Sequence, residues 1–81
     1  MIQLYYDPAC PFCRPVLDFL EGEGISFERK QFTRGDNSET RRELIELTGK
    51  SQIPFLVDPE NDVRMHESMD IVEYLRSRVG T

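Results

Sequence analysis

The two cysteines of the chain lie three positions apart, as Cys10 and Cys13 in the segment Cys-Pro-Phe-Cys. Pro11 between them suits the first position of a helix. The pattern therefore predicts that Cys10 lies at a helix N-terminus, where free N–H groups and the helix dipole favour a thiolate. A thiolate attacks disulfides, and a second thiol about one helical turn further on can resolve the mixed disulfide. The spacing predicts thiol–disulfide exchange, with Cys10 as the nucleophile and Cys13 as the resolving thiol.

Other roles for this pair stay open when only the residues are considered. Buried cysteine is a common structural side chain. A zinc site needs four ligands, whereas the chain offers these two thiols and a single histidine, His66. We therefore expect no metal site built by this chain alone.

Length, charge and hydropathy restrict the classes of function. The 81 residues suit one domain, 1–81, and no apolar stretch reaches the ~18 residues of a membrane span. The net charge is −5, from 10 basic and 15 acidic residues, and no basic stripe stands out, which argues against nucleic acids and anionic membranes as partners. The first residues lack the basic and apolar regions of a signal peptide. A cytoplasmic location is expected, where a CxxC pair is more often catalytic or metal-binding than a structural disulfide.

The first half of the chain has the patterns of a strand, a helix and a second strand. Residues 2–6 are rich in β-branched and aromatic side chains, which predicts a strand. Apolar residues then recur at helical spacing and predict a helix over about 11–22. A kink is expected at Pro15, whose missing N–H would remove a helical hydrogen bond. Alternation over 25–32 predicts the second strand.

A second helix is predicted after the loop 33–37, ending before Gly49. Asp36 with Glu39 forms a candidate capping box at its start, and Ser38 is the alternative cap. The apolar residues of this helix are expected to face inward: Leu44, Ile45 and Leu47.

The second half continues with two strands and a last helix. Residues 53–57 and 63–66 predict strands joined by the turn-forming cluster 58–62, and the short turn makes them antiparallel. Ser68 is expected to cap the last helix, whose inward residues are Ile71, Val72 and Leu75. The order β-α-β-α-β-β-α predicts an α/β fold in which three helices flank one four-stranded mixed sheet.

This order, with CxxC at the start of the first helix and Ile-Pro opening the third strand, resembles the thioredoxin fold. The segment 10–13 is similar to the Cys-Pro-Tyr-Cys signature of dithiol glutaredoxins, and residues 53–75, IPFLVDPENDVRMHESMDIVEYL, resemble the N-terminal domain of glutathione transferases. The resemblance implies a monomeric, cytoplasmic, glutaredoxin-like oxidoreductase. Such an enzyme reduces protein disulfides or mixed disulfides with glutathione, or a related low-molecular-weight thiol, as co-substrate.

The resemblance also implies a binding site for that thiol. Pro54 is expected to be cis and to face the CxxC motif, with the backbone of Ile53 pairing with a peptide-like substrate. The alternative from the residues alone is that Pro54 only opens an edge strand. Ser68 is expected to bind the γ-glutamyl carboxylate through its N–H and hydroxyl, with Glu67 beside it and Asp70 facing the ammonium. The alternative is a simple helix cap, in which both acids complement the helix dipole.

Asp7 departs from the family pattern, because many glutaredoxins carry a lysine three residues before the nucleophile. A carboxylate there disfavours a nearby thiolate and weakens anion binding. Arg14, four residues after Cys10, is expected to offset this charge in part on the substrate side. Phe12 is expected to be a partly exposed apolar contact for the substrate. His66 is expected to be a surface residue at a strand end, without a catalytic role.

Two alternatives to the glutaredoxin-like function follow from the same resemblance. One is a glutathione transferase domain, whose helical second domain is not part of this sequence; we expect a stand-alone protein rather than a fragment. The other is an iron–sulfur or thiol-binding module, with a cluster held across a dimer by Cys10 and external thiols. Pro11 is more typical of the redox form in that family.

Overall fold

The computed structural model describes residues 1–79, which form one four-stranded sheet flanked by three helices. The elements in chain order are β1 Ile2–Tyr6, α1 Arg14–Gly22, β2 Phe27–Gln31, α2 Glu39–Thr48, β3 Phe55–Asp58, β4 Val63–Met65 and α3 Ser68–Val79. The strand order is β2-β1-β3-β4, with β1 parallel to β2 and antiparallel to β3, and with β3 and β4 forming an antiparallel hairpin. The predicted thioredoxin-like fold is confirmed, with strand ends shifted by one or two residues.

Both faces of the sheet are covered, so successive residues of β1 are buried on opposite sides. Leu4 and Tyr6 belong to the larger core cluster, which includes the buried residues of α1 and α3, whereas Tyr5 belongs to a smaller cluster on the α2 side. Cys10 and Cys13 are part of the larger cluster. The packing of the larger core therefore holds both thiols in place.

The start of α1 differs from the prediction. The helix begins at Arg14, and Cys13 takes the N-cap position, with its carbonyl accepting the Leu17 N–H at 3.0 Å. Pro11 belongs to the preceding turn. Cys10 precedes that turn, so the prediction that Cys10 lies at the helix N-terminus is wrong, and Cys13 holds that position instead. Pro15 stands in the first helical turn, where an N–H has no partner within the helix. The hydrogen bond whose loss was expected at Pro15 therefore does not exist, and the reason for a kink disappears.

Helix α2 is capped at both ends by local interactions. The Ser38 hydroxyl accepts the Arg41 N–H at 3.2 Å, which selects Ser38 over the Asp36 box as the cap. At the other end Gly49 adopts the left-handed conformation (φ 82°) and donates to the Ile45 carbonyl. The expectation that Leu47 faces inward is wrong, because its side chain is 41% exposed. The small cluster on this face has room for Leu44 as the one buried residue of α2.

Ser38→Ala is expected to lower the free energy of unfolding by about 1 kcal/mol, because the Arg41 N–H loses its acceptor. Asp36→Ala is the matched control, with an expected change below about 0.5 kcal/mol. Urea denaturation of both variants measures the two values. Equal losses would show that Asp36 shares the capping role.

The β3–β4 hairpin is joined to α3 through Asp58. This buried carboxylate accepts hydrogen bonds from the Tyr74 hydroxyl of α3 and from Asn61 Nδ2, the latter at 2.9 Å. The bond from Tyr74 holds the pKa of Asp58 below its ordinary value. The contact fixes the helix that begins at Ser68 relative to the strand that follows Pro54.

Candidate active site

The turn between β1 and α1 brings the two thiols together. The Cys10 N–H donates to the Asp7 carbonyl at 2.9 Å, and the Cys13 N–H donates to the Cys10 carbonyl at 3.1 Å. Both cysteines are free and buried, with Cys10 2% and Cys13 0% exposed. Burial raises the pKa of Cys13 to about 12, and a hydrogen bond between the two side chains acts in the same direction. Burial therefore favours the neutral thiol form of Cys13, which lies in the same core cluster as Cys10.

Asp7 is held by the backbone around it. Its Oδ1 accepts the Ala9 N–H at 2.9 Å, and its Oδ2 accepts the Arg34 N–H at 2.9 Å, with the Arg34 Nε 3.6 Å away. The two backbone bonds, from Arg34 and then Ala9, are the main cause of the lowered pKa of this carboxyl. Asp7 thus fixes the turn that carries the thiols and joins it to the loop after β2. The cation beside Asp7 is Arg34, a residue that no local pattern in the sequence associates with residue 7.

Asp7→Asn is expected to lower the Tm at pH 7 by about 5 °C, because an amide NH2 would face the N–H and guanidinium of Arg34. The folded-state pKa of Asp7 is lowered, so the carboxylate stabilises the fold above its unfolded pKa. That contribution is lost as the pH falls through the folded-state value. Thermal melts of both proteins should therefore converge as the pH falls below 3.8, the ordinary value. Asp36→Asn is the control, and a gap that stays constant with pH would contradict the electrostatic role.

A cavity of about 280 Å³ lies beside this turn and is formed by three segments of the chain. It brings together residues that the sequence places far apart, and the Ile53–Pro54 peptide bond in its wall is cis, as the resemblance implied. Ile53 also packs against the core cluster that contains both thiols. The lining residues are Phe12, Gln52, Ile53, Pro54, His66, Glu67 and Ser68.

Four of the predicted site residues are not among the lining residues of this cavity: Cys10, Cys13, Arg14 and Asp70. Arg14 is exposed on α1, where its Nη2 lies 2.9 Å from Asp18 Oδ1 and 3.9 Å from Glu21 Oε1. Asp70 is exposed in the first turn of α3, two residues after Ser68. Phe12, by contrast, lines the cavity and leaves 65% of its side chain exposed.

The start of α3 forms the polar end of the cavity. The Glu67 carbonyl accepts the Ile71 N–H at 2.9 Å, so Glu67 occupies the N-cap position and Ser68 is the first helical residue. Ser68 was expected to be the N-cap residue, and it lies one residue further into the helix. Its backbone N–H is one of those that a helix leaves without an internal partner, a position that suits a carboxylate ligand.

His66 is half-buried and lines the cavity together with Gln52 and Glu67. Its ring packs on Phe55 with centroids 4.5 Å apart. The expectation of a surface position is correct only in part, because strand alternation continues past the end of β4. Met65 packs against the larger core, so the next side chain points to the opposite face, where Phe55 lies. This alternation is the feature of the sequence that indicates a contact between His66 and the α2 side of the sheet.

A second concavity of about 460 Å³ lies along α2 and is lined by charged side chains, Glu39, Arg42, Glu43 and Glu46. It is larger but contains no nucleophile and none of the predicted site residues. Within residues 1–79, no helix combines the length and apolar character needed to cross a bilayer. In the same part of the chain, no three His, Cys, Asp or Glu side chains are grouped as a metal site would require.

Comparison with known proteins identifies relatives of this fold. Residues 4–81 match the family model of the glutathione S-transferase N-terminal domain. A delta-class glutathione transferase of Nilaparvata lugens is 30% identical with a TM-score of 0.78, over 100% of this chain and 37% of that one. A glutathione S-transferase of the Antarctic clam Laternula elliptica is 28% identical (TM-score 0.78, 99% and 36%). Glutaredoxin 2 of Salmonella typhimurium, solved in complex with glutathione, is 25% identical (TM-score 0.79, 100% and 35%).

The chain thus spans little more than a third of the length of these solved chains. No curated protein was found to match it.

Proposed function

The chain belongs to the family of glutathione S-transferase N-terminal domains, and within that family we propose that it is a thiol–disulfide oxidoreductase that uses glutathione or a related low-molecular-weight thiol. The observation that carries the proposal is the hydrogen-bonded turn before α1, which holds two free cysteines, Cys10 and Cys13, in one buried cluster. A transferase active site has no need for a second thiol next to the first. Exchange chemistry uses both.

The roles of the two thiols follow from their surroundings. Burial raises the pKa of Cys13 and so disfavours its thiolate, and we therefore assign the nucleophilic attack to Cys10. The Cys10 thiolate attacks one sulfur of a substrate disulfide, the S–S bond breaks, and the released sulfur takes up a proton. Cys13 then loses its proton and attacks the mixed disulfide, which releases the second substrate thiol and leaves a Cys10–Cys13 disulfide.

The cycle closes with two molecules of the low-molecular-weight thiol. The first attacks Cys10, breaks the internal disulfide and returns Cys13 to its thiol form, so that a mixed disulfide remains on Cys10. The second attacks that mixed disulfide, which regenerates the Cys10 thiolate and releases the oxidised thiol. Two electrons and two protons pass to the substrate in each cycle.

The cavity beside the thiols suits a γ-glutamyl thiol. In this arrangement the γ-glutamyl carboxylate lies at the N-terminus of α3 and accepts from the N–H and hydroxyl of Ser68, with Glu67 and Asp70 beside the ammonium. The cysteinyl part lies along the backbone of Ile53, and Phe12 contacts the disulfide substrate. The resemblance to glutaredoxin 2, whose structure contains glutathione, supports this placement.

Ser68→Ala is expected to raise the KM for glutathione about tenfold and leave kcat nearly unchanged, because a hydrogen bond to a charged group is lost away from the reacting sulfur. Ser77→Ala, in the same helix with its hydroxyl bonded to the Tyr74 carbonyl, is the matched control and should retain the wild-type KM. Steady-state kinetics at varied glutathione concentration measure both. A wild-type KM for Ser68→Ala would remove Ser68 from the site.

The second candidate function is glutathione conjugation, and the family model and the transferase relatives favour it. Two assays on the same preparations separate the candidates: reduction of a small mixed disulfide by glutathione, and conjugation of glutathione to a halogenated aromatic electrophile. We expect activity in the first assay and none in the second. Conjugation that is unaffected by Cys13→Ser, without disulfide reduction, would establish the transferase instead.

A further inference from the structure

His66 lines the cavity but has no role in the proposed mechanism. One face of its ring lies on Phe55, the first residue of β3, at a centroid distance of 4.5 Å and an interplanar angle of 33°. Phe55 directly follows the cavity segment 52–54, and His66 directly precedes Glu67 and Ser68 of the same cavity. The ring contact therefore joins the two segments that the thiol ligand would bridge.

Burial around the ring favours its neutral form. Its Nδ1 is buried and has no hydrogen-bond partner, so a proton on that nitrogen would be a buried donor without an acceptor. Burial is the main cause of the lowered pKa of His66. The nearby Lys50 ammonium lowers it further, and a backbone contact with Gln52 and the Glu67 carboxylate act in the opposite direction. Lys50 and Glu67 are the charged groups that act on the ring, and the β3 residue packed against it, Phe55, is apolar.

We propose that His66 is a positioning residue for the thiol ligand, holding the segment 52–54 at a fixed separation from Ser68 so that both contact one molecule. This inference rests on the proposed function, since it concerns the binding of the same thiol. The ring acts through its stack on Phe55 and its contact with the backbone of Gln52, and it takes no part in breaking or forming the sulfur bonds.

Protonation of His66 would work against this arrangement. It would place a second positive charge beside Lys50 and create a donor at Nδ1 with no acceptor, so the ring would be drawn out of its stack toward solvent. Because the folded-state pKa is lowered, the neutral arrangement is complete above 6.5, the ordinary value, and is lost only as the pH falls through the lower folded-state value. Affinity for the thiol should therefore fall in acid.

His66→Phe and His66→Ala test the proposal, with the KM for glutathione and kcat measured between about pH 5 and pH 8, where histidine titrates. Phe retains a ring on Phe55 and cannot titrate, so we expect a KM within about threefold of wild type at pH 8 and a ratio of wild-type to variant KM that rises toward pH 5. This ratio cancels the titration of glutathione itself. Ala removes the ring, and we expect a KM raised about fivefold at every pH with kcat within about twofold. Lys50→Met, which removes the neighbouring charge, should move the rise in KM to higher pH.

A wild-type KM for folded His66→Ala, or a ratio for His66→Phe that stays flat across the range, would overturn the positioning role. Circular dichroism establishes that each variant is folded, and the isosteric Phe keeps the test available if Ala unfolds the chain. A wild type that is inert with glutathione at all pH values would remove the proposed function and this inference together. An active wild type with indifferent His66 variants would remove the inference alone.

Discussion

Cys10→Ser is expected to reduce kcat/KM for glutathione-dependent reduction of a mixed disulfide by at least about a thousandfold, because the variant lacks the proposed nucleophilic sulfur. A serine hydroxyl fits the same buried space, so the fold should persist. The Tm of the variant checks this directly. The effect is therefore a measure of chemistry and not of folding.

Cys13→Ser is the matched variant, with the same change of sulfur to oxygen three residues away. We expect it to keep a substantial part of the activity toward small mixed disulfides, since a second glutathione can resolve the adduct on Cys10 without Cys13. Toward protein disulfides it should lose most of its activity, because the internal resolving thiol is then required. Comparable losses in both variants with the small substrate would contradict the division of roles.

Ile71→Ala is expected to lower the free energy of unfolding by about 2–5 kcal/mol, the range for truncating a buried aliphatic side chain. Ile71 is fully buried in the larger core and lies on the helix whose first residue is Ser68. A loss of this size is a large fraction of the roughly 5–15 kcal/mol that stabilises a domain. We therefore expect a fall in Tm of more than about 10 °C.

Met69→Ala, two residues earlier in α3, is the control for this prediction. Its side chain is 66% exposed, so truncation should change the free energy of unfolding by less than about 0.5 kcal/mol. Urea denaturation of the two variants, with the slope m compared as well as the midpoint, measures the difference. Similar losses at Ile71 and Met69 would show that α3 is not held by the core described for it.

Much of the fold could be predicted because local signals and global packing agree. The caps at Ser38 and Gly49 are local, and the alternation in β1 places Leu4 and Tyr5 on opposite faces whatever the rest of the chain does. The start of α1 was misplaced because Pro11 and Pro15 both suit a helix N-terminus. The hydrogen bond from the Cys13 N–H to the Cys10 carbonyl closes a turn around Pro11, so the helix begins after it and Pro15 lies in the first helical turn.

The parts of the site that escaped prediction depend on contacts between distant segments. Asp7 was interpreted through its charge alone, whereas its carboxylate is bonded to Arg34, which lies 27 residues away along the chain. The alternation of one short strand is too weak a pattern to predict that His66 is half-buried. Its partial burial depends on Phe55, which the hairpin brings against the ring. The hydrophobicity of Leu47 predicts a core position, but the sequence does not reveal how small the cluster on the α2 side is. Leu47 therefore remains exposed.

The most direct test of the central claim is to incubate Cys13→Ser and Cys10→Ser separately with oxidised glutathione and measure their intact masses. Each variant retains a single cysteine. We expect one glutathionyl adduct on Cys13→Ser, where only Cys10 remains, and none on Cys10→Ser, where only Cys13 remains and its raised pKa disfavours the thiolate. An adduct on Cys10→Ser alone would reverse the two roles. The absence of an adduct on both would show that the pair is structural and that this chain does not carry out thiol–disulfide exchange with glutathione.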